Sequence, residues 1–195
     1  MSGEPAVEVP ARERVLRAAL RLIGSEGIGA VSHRQVAGEA GVSLGTLTYH
    51  FRDRDELLRE SLRLFVGEEV ARLEAIGRGL RTGELGLADL PGMVGAAMAG
   101  AADVAVTVAQ FELYLHATRD PQLRDAVAES RAAYERLARE ALILLDVPDP
   151  GAVAPLIVST IDGLALRRLV TGEEQVEETV RALLLIAAGA RAVAG

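Results

Sequence analysis

Three helix-start signals follow one another between Val31 and Leu58, and their spacing restricts that stretch to brief helices joined by tight turns. They are Val31-Ser32-His33-Arg34-Gln35-Val36, Val42-Ser43-Leu44-Gly45-Thr46-Leu47 and Arg52-Asp53-Arg54-Asp55-Glu56-Leu57. Ser32 with Gln35 three residues on has the form of a capping box, and Val31 with Val36 that of a hydrophobic staple. Gly41 follows at a position suited to positive φ, and Ser43 opens the next helix almost at once. A turn of about three residues between two short helices is the length of a helix-turn-helix. Val36, Ala40, Val42 and Leu47 supply its small apolar core.

The helix opened by Ser43 places Leu47 and Phe51 four residues apart on an inward stripe. Ser43, Leu44, Gly45, Thr46, Thr48, Tyr49 and His50 are thereby expected to face outward. Hydroxyls bond base edges or phosphates, Leu44 suits a thymine methyl, and the Tyr49 hydroxyl reaches phosphate. Gly45 lets the backbone come close to a duplex. The third signal opens a long helix whose start carries Arg52 and Arg54, expected to hold phosphate with help from the helix dipole. The DNA-contact candidates are thus Ser43, Leu44, Gly45, Thr46 and Tyr49 near base edges or groove backbone. Ser32, Arg34, Thr48, His50, Arg52 and Arg54 are the candidates at phosphates.

The run from Val36 to Leu58, with Gly41-Val42-Ser43-Leu44-Gly45-Thr46-Leu47-Thr48-Tyr49-His50-Phe51 at its centre, resembles the N-terminal signature of TetR-family one-component transcriptional regulators. The resemblance covers about a third of the chain, from Arg12 to Phe65 if the preceding helix is included. Two departures stand out. Thr48 occupies a place where members commonly carry an aromatic, and the chain has no lysine, so Arg54 stands where the family often has one. The exchange retains a cation able to clamp phosphate. The resemblance implies a homodimer bound to a palindromic double-stranded DNA operator, usually as a repressor, released by a small-molecule effector.

Composition agrees with an all-α fold. Half of the 195 residues are hydrophobic, with 3% aromatic, no cysteine and no tryptophan, so the interior must be built from Ala, Leu and Val. Without cysteine there are no disulfides or thiolate chemistry, which suits a reducing cytoplasm. The acidic start Met1-Ser2-Gly3-Glu4-Pro5 and the lack of ~18 uninterrupted apolar residues argue against a leader or a membrane span. The expected location is cytoplasmic, with no membrane partner. A net charge of −7 sits awkwardly with a nucleic-acid partner, but its sign is local: residues 31–54 hold three arginines and two histidines against Glu39 and Asp53. A weakly basic tip on an acidic body fits easy release from non-specific DNA.

Periodicity predicts a first helix over 11–25, a fourth over about 53–76 loosened afterwards by Gly77, Gly79 and Gly83, and further helices over 92–102, 103–118, 121–145, 152–170 and 174–194. The expected organisation is a disordered tail (1–10), a three-helix DNA-binding head (11–56) and a helical ligand-binding and dimerisation body (57–195). The last two helices carry wide apolar faces, with Leu156, Ile161, Leu164, Ala165 and Leu169 on one and Val180, Leu183, Leu184 and Ala187 on the other. Two copies could form a four-helix interface there, or the faces could simply cover the chain's own core.

Met93, Met98, Phe111, Glu112, Tyr114, His116 and Arg167 are the candidate lining of an effector cavity, adaptable methionines beside aromatic and polar groups. An apolar or amphipathic effector there would bias helix four and change the spacing of two heads. No catalytic or metal-binding constellation stands out, and neither a cofactor nor an enzymatic activity is expected; Glu68 and Glu69 are adjacent and point apart on a helix. The competing reading is a helical small-molecule carrier whose head no longer reads DNA.

Overall fold

The protein is described here by a computed structural model covering residues 9–89, 91–93, 104–172 and 176–194. Most of the expected N-terminal tail and of the helix expected over 92–102, including Met98, lies outside these residues. Among the described residues every regular element is helical. The elements are α1 (Ala11–Glu26), α2 (His33–Ala40), α3 (Leu44–His50), α4 (Arg54–Thr82), α5 (Val104–Ala117), α6 (Arg124–Leu144), α7 (Pro150–Thr171) and α8 (Val176–Ala194).

The predicted boundaries of the head are set by side-chain caps. Ser32 Oγ accepts from Gln35 N at 3.3 Å, Ser43 Oγ from Thr46 N at 3.0 Å, and an Asp53 carboxylate oxygen from Glu56 N at 2.8 Å. The Ser32–Gln35 pair departs from the expected reciprocal box: the Gln35 side-chain oxygen accepts from the Ser32 hydroxyl at 2.7 Å. At the third start Glu56 does reach back, though to the residue before the cap: its Oε2 accepts from Arg52 N at 2.8 Å. Between α2 and α3, Gly41 takes φ +63°; its N–H reaches Gly38 O at 3.2 Å and Val42 N reaches Ala37 O at 3.0 Å. These paired bonds form a Schellman stop, which needs a residue that tolerates the left-handed region.

One apolar cluster joins head and lower body. Val15, Ala19 and Ile23 of α1, Val36 of α2, Leu47 of α3 and Phe51 pack with Leu57, Leu58, Leu62 and Phe65 of α4 and with Ala109 and Leu113 of α5. The division expected after residue 56 therefore falls inside both α4 and this core. A second cluster, of Leu142, Val147, Val153, Ala154, Ile157, Leu183 and Ala187, holds α7 and α8 to the end of α6.

The 29-residue α4 runs past the point where Gly77 and Gly79 were expected to loosen it, ending only at Gly83 with φ +75°. Both glycines are buried. A Cβ at Gly79 would lie 2.7 Å from Leu85 Cδ1, and one at Gly77 would collide with the Glu140 carboxylate of α6. Neighbouring side chains thus lie directly over both glycines, and the helix continues through them.

Gly24 plays the same part where α1 meets α5. A Cβ there would stand 2.5 Å from Ala105 Cβ and 2.6 Å from Ala105 O. On an open helix, Gly→Ala would gain about 1 kcal/mol; here backbone has to move. Gly24→Ala is expected to lower stability by about 1–3 kcal/mol, measured by urea unfolding. A gain in stability would mean that the α1–α5 approach yields easily.

Candidate DNA interface and effector region

The recognition segment is a seven-residue helix anchored by one buried side chain, Leu47, which is fully shielded, with Phe51 buried just beyond its end. A side chain buried at that register commits the remaining positions outward. Ser43, Leu44, Gly45, Thr48 and Tyr49 are exposed, and Thr46 and His50 are half-exposed. Tyr49 is 85% exposed, leaning edge-on against His50 with ring centroids 5.2 Å apart. An aromatic so open to water gains nothing from the fold that displays it.

Several outward hydroxyls are already engaged. Ser43 Oγ, besides capping the helix, lies 2.8 Å from Thr46 Oγ1, and Thr48 Oγ1 shares its proton between Leu44 O at 3.0 Å and Gly45 O at 3.1 Å. Thr48 thus offers a duplex an acceptor and a methyl group. Arg34 and Arg52 are exposed, the latter with Nε 3.3 Å from an Asp53 carboxylate oxygen. Ser32 is half-exposed and occupied as a cap.

Arg54 differs from the expected outward phosphate clamp. Its Nε donates to Val31 O at 2.7 Å and its Nη2 to Ile28 O at 2.6 Å. The guanidinium fastens the start of α4 to the turn Ile28–Ala30 and to the residue before the α2 cap. Those carbonyls close a loop, and a charged donor satisfies them more strongly than a neutral one.

In the body, the expected ligand set separates. Phe111 and Tyr114 stay together, edge to face at 6.2 Å. Met93 is buried in a cleft of about 370 Å³ with Ile76, Leu85 and Asp89. Glu112 points to the head, 3.4 Å from Ile28 N. His116 ends α5, its carbonyl taking the N–H of Arg119 at 2.9 Å and of Asp120 at 3.0 Å. Arg167 pairs with Glu178 on the α7–α8 surface.

A polar band that sequence reasoning missed lies beside the Phe111–Tyr114 pair. Gln110 Nε2 donates to Tyr114 OH at 3.2 Å and to Asp162 Oδ1 at 3.3 Å. Burial pushes the Asp162 carboxyl and the Tyr114 phenol above their ordinary ranges. Nearby on α4, Glu69 is buried and takes both the Tyr134 hydroxyl and the Arg72 guanidinium. Burial, then the Glu69 charge, drives the Tyr134 phenol strongly upward. The adjacent Glu68 faces out and pairs with Arg17 at 2.8 Å, as the divergence of neighbouring helical side chains requires. A carboxylate on the stripe Leu62-Phe65-Glu69-Leu73 was the available signal.

The dimer candidates divide as well. Leu183 and Ala187 are buried in the chain's own second core, with Ile161 and Val180 packed against it, and Ala165 is also buried. Leu164 and Leu169 are half-buried. Leu156 and Leu184 remain exposed, joined by Leu166, Val170 and Leu185, which the sequence reading passed over.

A family model described as the bacterial regulatory proteins of the tetR family matches residues 15–61, and one described as a tetracyclin repressor-like C-terminal domain matches residues 83–188. The chain belongs to the TetR family. The HTH-type transcriptional regulator BetI of Cronobacter sakazakii is 28% identical over 178 residues, 88% of this chain and 86% of that protein. A solved structure of a TetR-family member from Streptomyces coelicolor A3 is 32% identical, with TM-score 0.72, covering 92% of this chain and 99% of that one. The multidrug binding protein EbrR complexed with imidazole is 33% identical, with TM-score 0.66, covering 92% of this chain and 96% of that one. Other structures of EbrR hold proflavin, malachite green and ethidium. The match to the regulator YerO of Bacillus subtilis is confined to 65 residues, and the chain spans 22% of that protein. This TetR-family chain is thus a transcriptional regulator and not an enzyme. Among its described residues no helix is long and apolar enough to cross a membrane.

The cap of α4 is expected to give the head an acid-sensitive contact. The N–H of Glu56 bonded to the Asp53 carboxylate, with help from Arg52, holds its pKa below the ordinary value. A carboxyl depressed on folding stabilises above its unfolded pKa, and that contribution is lost as pH falls through the lower folded value. Asn also caps helices but does not titrate. The decline in Tm below about pH 4 is therefore expected to be shallower in Asp53→Asn than in the parent. Superimposable acid limbs would show that Asp53 contributes nothing to them.

Proposed function

We propose that the protein is a homodimeric repressor of a palindromic operator and that a small amphipathic effector releases it. The outward face of α3 carries this reading: Leu44, Thr46 and Tyr49 are presented to solvent by a helix whose opposite side is locked by Leu47. Ser43, Leu44, Gly45, Thr46 and Tyr49 are assigned to base edges and groove walls. Arg34, Arg52 and His50 are assigned to phosphate; Ser32 and Thr48 reach it only by turning their hydroxyl protons away from Gln35 and from the Leu44 and Gly45 carbonyls. Arg54 acts from behind, holding the head together.

The outer faces of α7 and α8 support the dimer. Leu156, Ser159, Gly163, Leu166 and Val170 recur along one exposed side of α7, and Leu184 and Leu185 are exposed on α8. Among the described residues no atom beyond the helix's own backbone and the adjoining residues lies within 4 Å of where a Cβ at Gly163 would stand, which leaves room for a partner helix. Exposed Leu and Val side chains on these two helices suit a helix–helix interface, and two such pairs would make a four-helix contact. The two recognition helices would then enter successive major grooves about 34–36 Å apart.

For the effector, the Gln110–Tyr114–Asp162 band beside Phe111 supplies aromatic surface, a donor and a carboxylate. EbrR, similar along most of its length, binds aromatic dyes. The reading extends to this chain as an effector that is flat, apolar and bears a donor or positive charge.

An operator selected from a random duplex pool provides the test. Arg52→Ala is expected to weaken every sequence alike and to reduce the salt slope by about 1, whereas Thr46→Ala alters base preference by about 1–3 kcal/mol at one position. Loss of equal size on every operator variant would reassign Thr46 to backbone. A parent protein that selects no sequence would favour the carrier reading. Separately, Leu166→Arg is expected to yield a monomer by sedimentation and to abolish tight operator binding; a variant still dimeric would place the interface elsewhere.

A further inference from the structure

The α5 helix has two working sides. Ala105, Ala109 and Glu112 fall on one, at intervals of four and three residues, and Gln110 and Tyr114 fall on the other. The second side carries the polar band that reaches Asp162 on α7. The first side meets the head at two points about two turns apart. At one, Ala105 stands so close to Gly24 that no side chain fits between them. At the other, Glu112 Oε1 accepts from Ile28 N at 3.4 Å, beside Gly27 with φ +81° and ψ 166°. Only glycine reaches that backbone region without strain, so the approach of the turn to α5 is fixed there.

Ile28 is held from the other direction as well. Its carbonyl accepts from Arg54 Nη2, and the same guanidinium holds Val31 O, directly before the α2 cap. Glu112, Ile28 and Arg54 thus form a continuous hydrogen-bonded path from a body helix to the first residue of α4 and the entry of α2. The two guanidinium bonds are short and charge-assisted, and the Glu112 contact at 3.4 Å is the long link of the path. We propose that Glu112 is the positioning residue through which α5 sets the placement of the DNA head. Anything that turns or slides α5 on its Gln110–Tyr114 side moves the Ile28 anchor on the other, and with it α2 and α3. This effector half of the proposal rests on the ligand-responsive reading above; the placement of the head by Glu112 does not.

The test needs no effector. In the full-length protein, Glu112→Leu, Glu112→Gln, Arg54→Leu and the Glu112→Leu/Arg54→Leu double variant are compared. The measurements are operator affinity at fixed salt, the amide resonance of Ile28 and Tm. Glu112→Leu is expected to weaken operator binding by about 5- to 150-fold, the usual span of coupling between sites, and to shift the Ile28 amide. Glu112→Gln, which keeps an acceptor, restores most of both. The double variant binds no more weakly than Arg54→Leu alone, since both substitutions break one path.

Parent-like operator affinity and an unmoved Ile28 amide in Glu112→Leu would overturn the proposal. Failure of Glu112→Gln to rescue would do the same, as would fully additive losses in the double variant. If the parent itself selects no operator, the repressor reading fails; the Ile28 amide in Glu112→Leu against Glu112→Gln still decides whether the contact exists.

Discussion

The structure depends on one helix being packed at both ends of its function. Leu57, Leu58 and Leu62 at the start of α4 are fully buried, shared between the head and α5. At 1.5 Å per residue, the 29 residues of α4 span about 43 Å. The same rod that closes the recognition head therefore runs alongside α6 in the body. Its first turns lie within the same close-packed core as α1, α2 and α3, so head and lower body share one packing unit.

The head and the body solve opposite problems. In the head α2 and α3, of 8 and 7 residues, are too short to be stable alone. Its rigidity comes instead from the side-chain caps, the Schellman stop at Gly41 and the buried Leu47 and Phe51. A rigid probe spends little conformational entropy on binding. The body instead retains polar groups well inside: Glu69 with Tyr134 and Arg72, and Asp162 with Gln110. Buried groups of this kind cost stability unless partnered, and here each has a partner. A rigid head and a partnered polar interior in the body both fit the ligand-responsive reading proposed above.

The head was largely legible because its signals are local. A cap and the N–H it satisfies lie three residues apart, and helix periodicity assigns the α3 face from Leu47 and Phe51 alone. Misreadings arose where a residue's role depends on something distant in sequence. Gly77 and Gly79 looked like breakers because propensity knows nothing of Glu140 or Leu85. Arg54 looked like a phosphate clamp because nothing nearby reveals that Ile28 and Val31 carbonyls wait for it. Glu112 and Arg167 were grouped with Phe111 as polar neighbours, and helix packing sent one to the head and the other to the α7–α8 surface.

The sequence by itself determined the all-helical class, the three capped starts, the outward chemistry of α3 and the family signature, since each follows from contacts within one or two helical turns. Only the tertiary structure decided which apolar residues of α7 and α8 close the chain's own core and which remain outside, because a wide apolar face does not say what will cover it. It alone also joined Glu112, Ile28 and Arg54, which are 84 and 26 residues apart along the chain. Hydrogen bonds over such separations are set by how helices cross, and crossing is decided by the packing of the whole core.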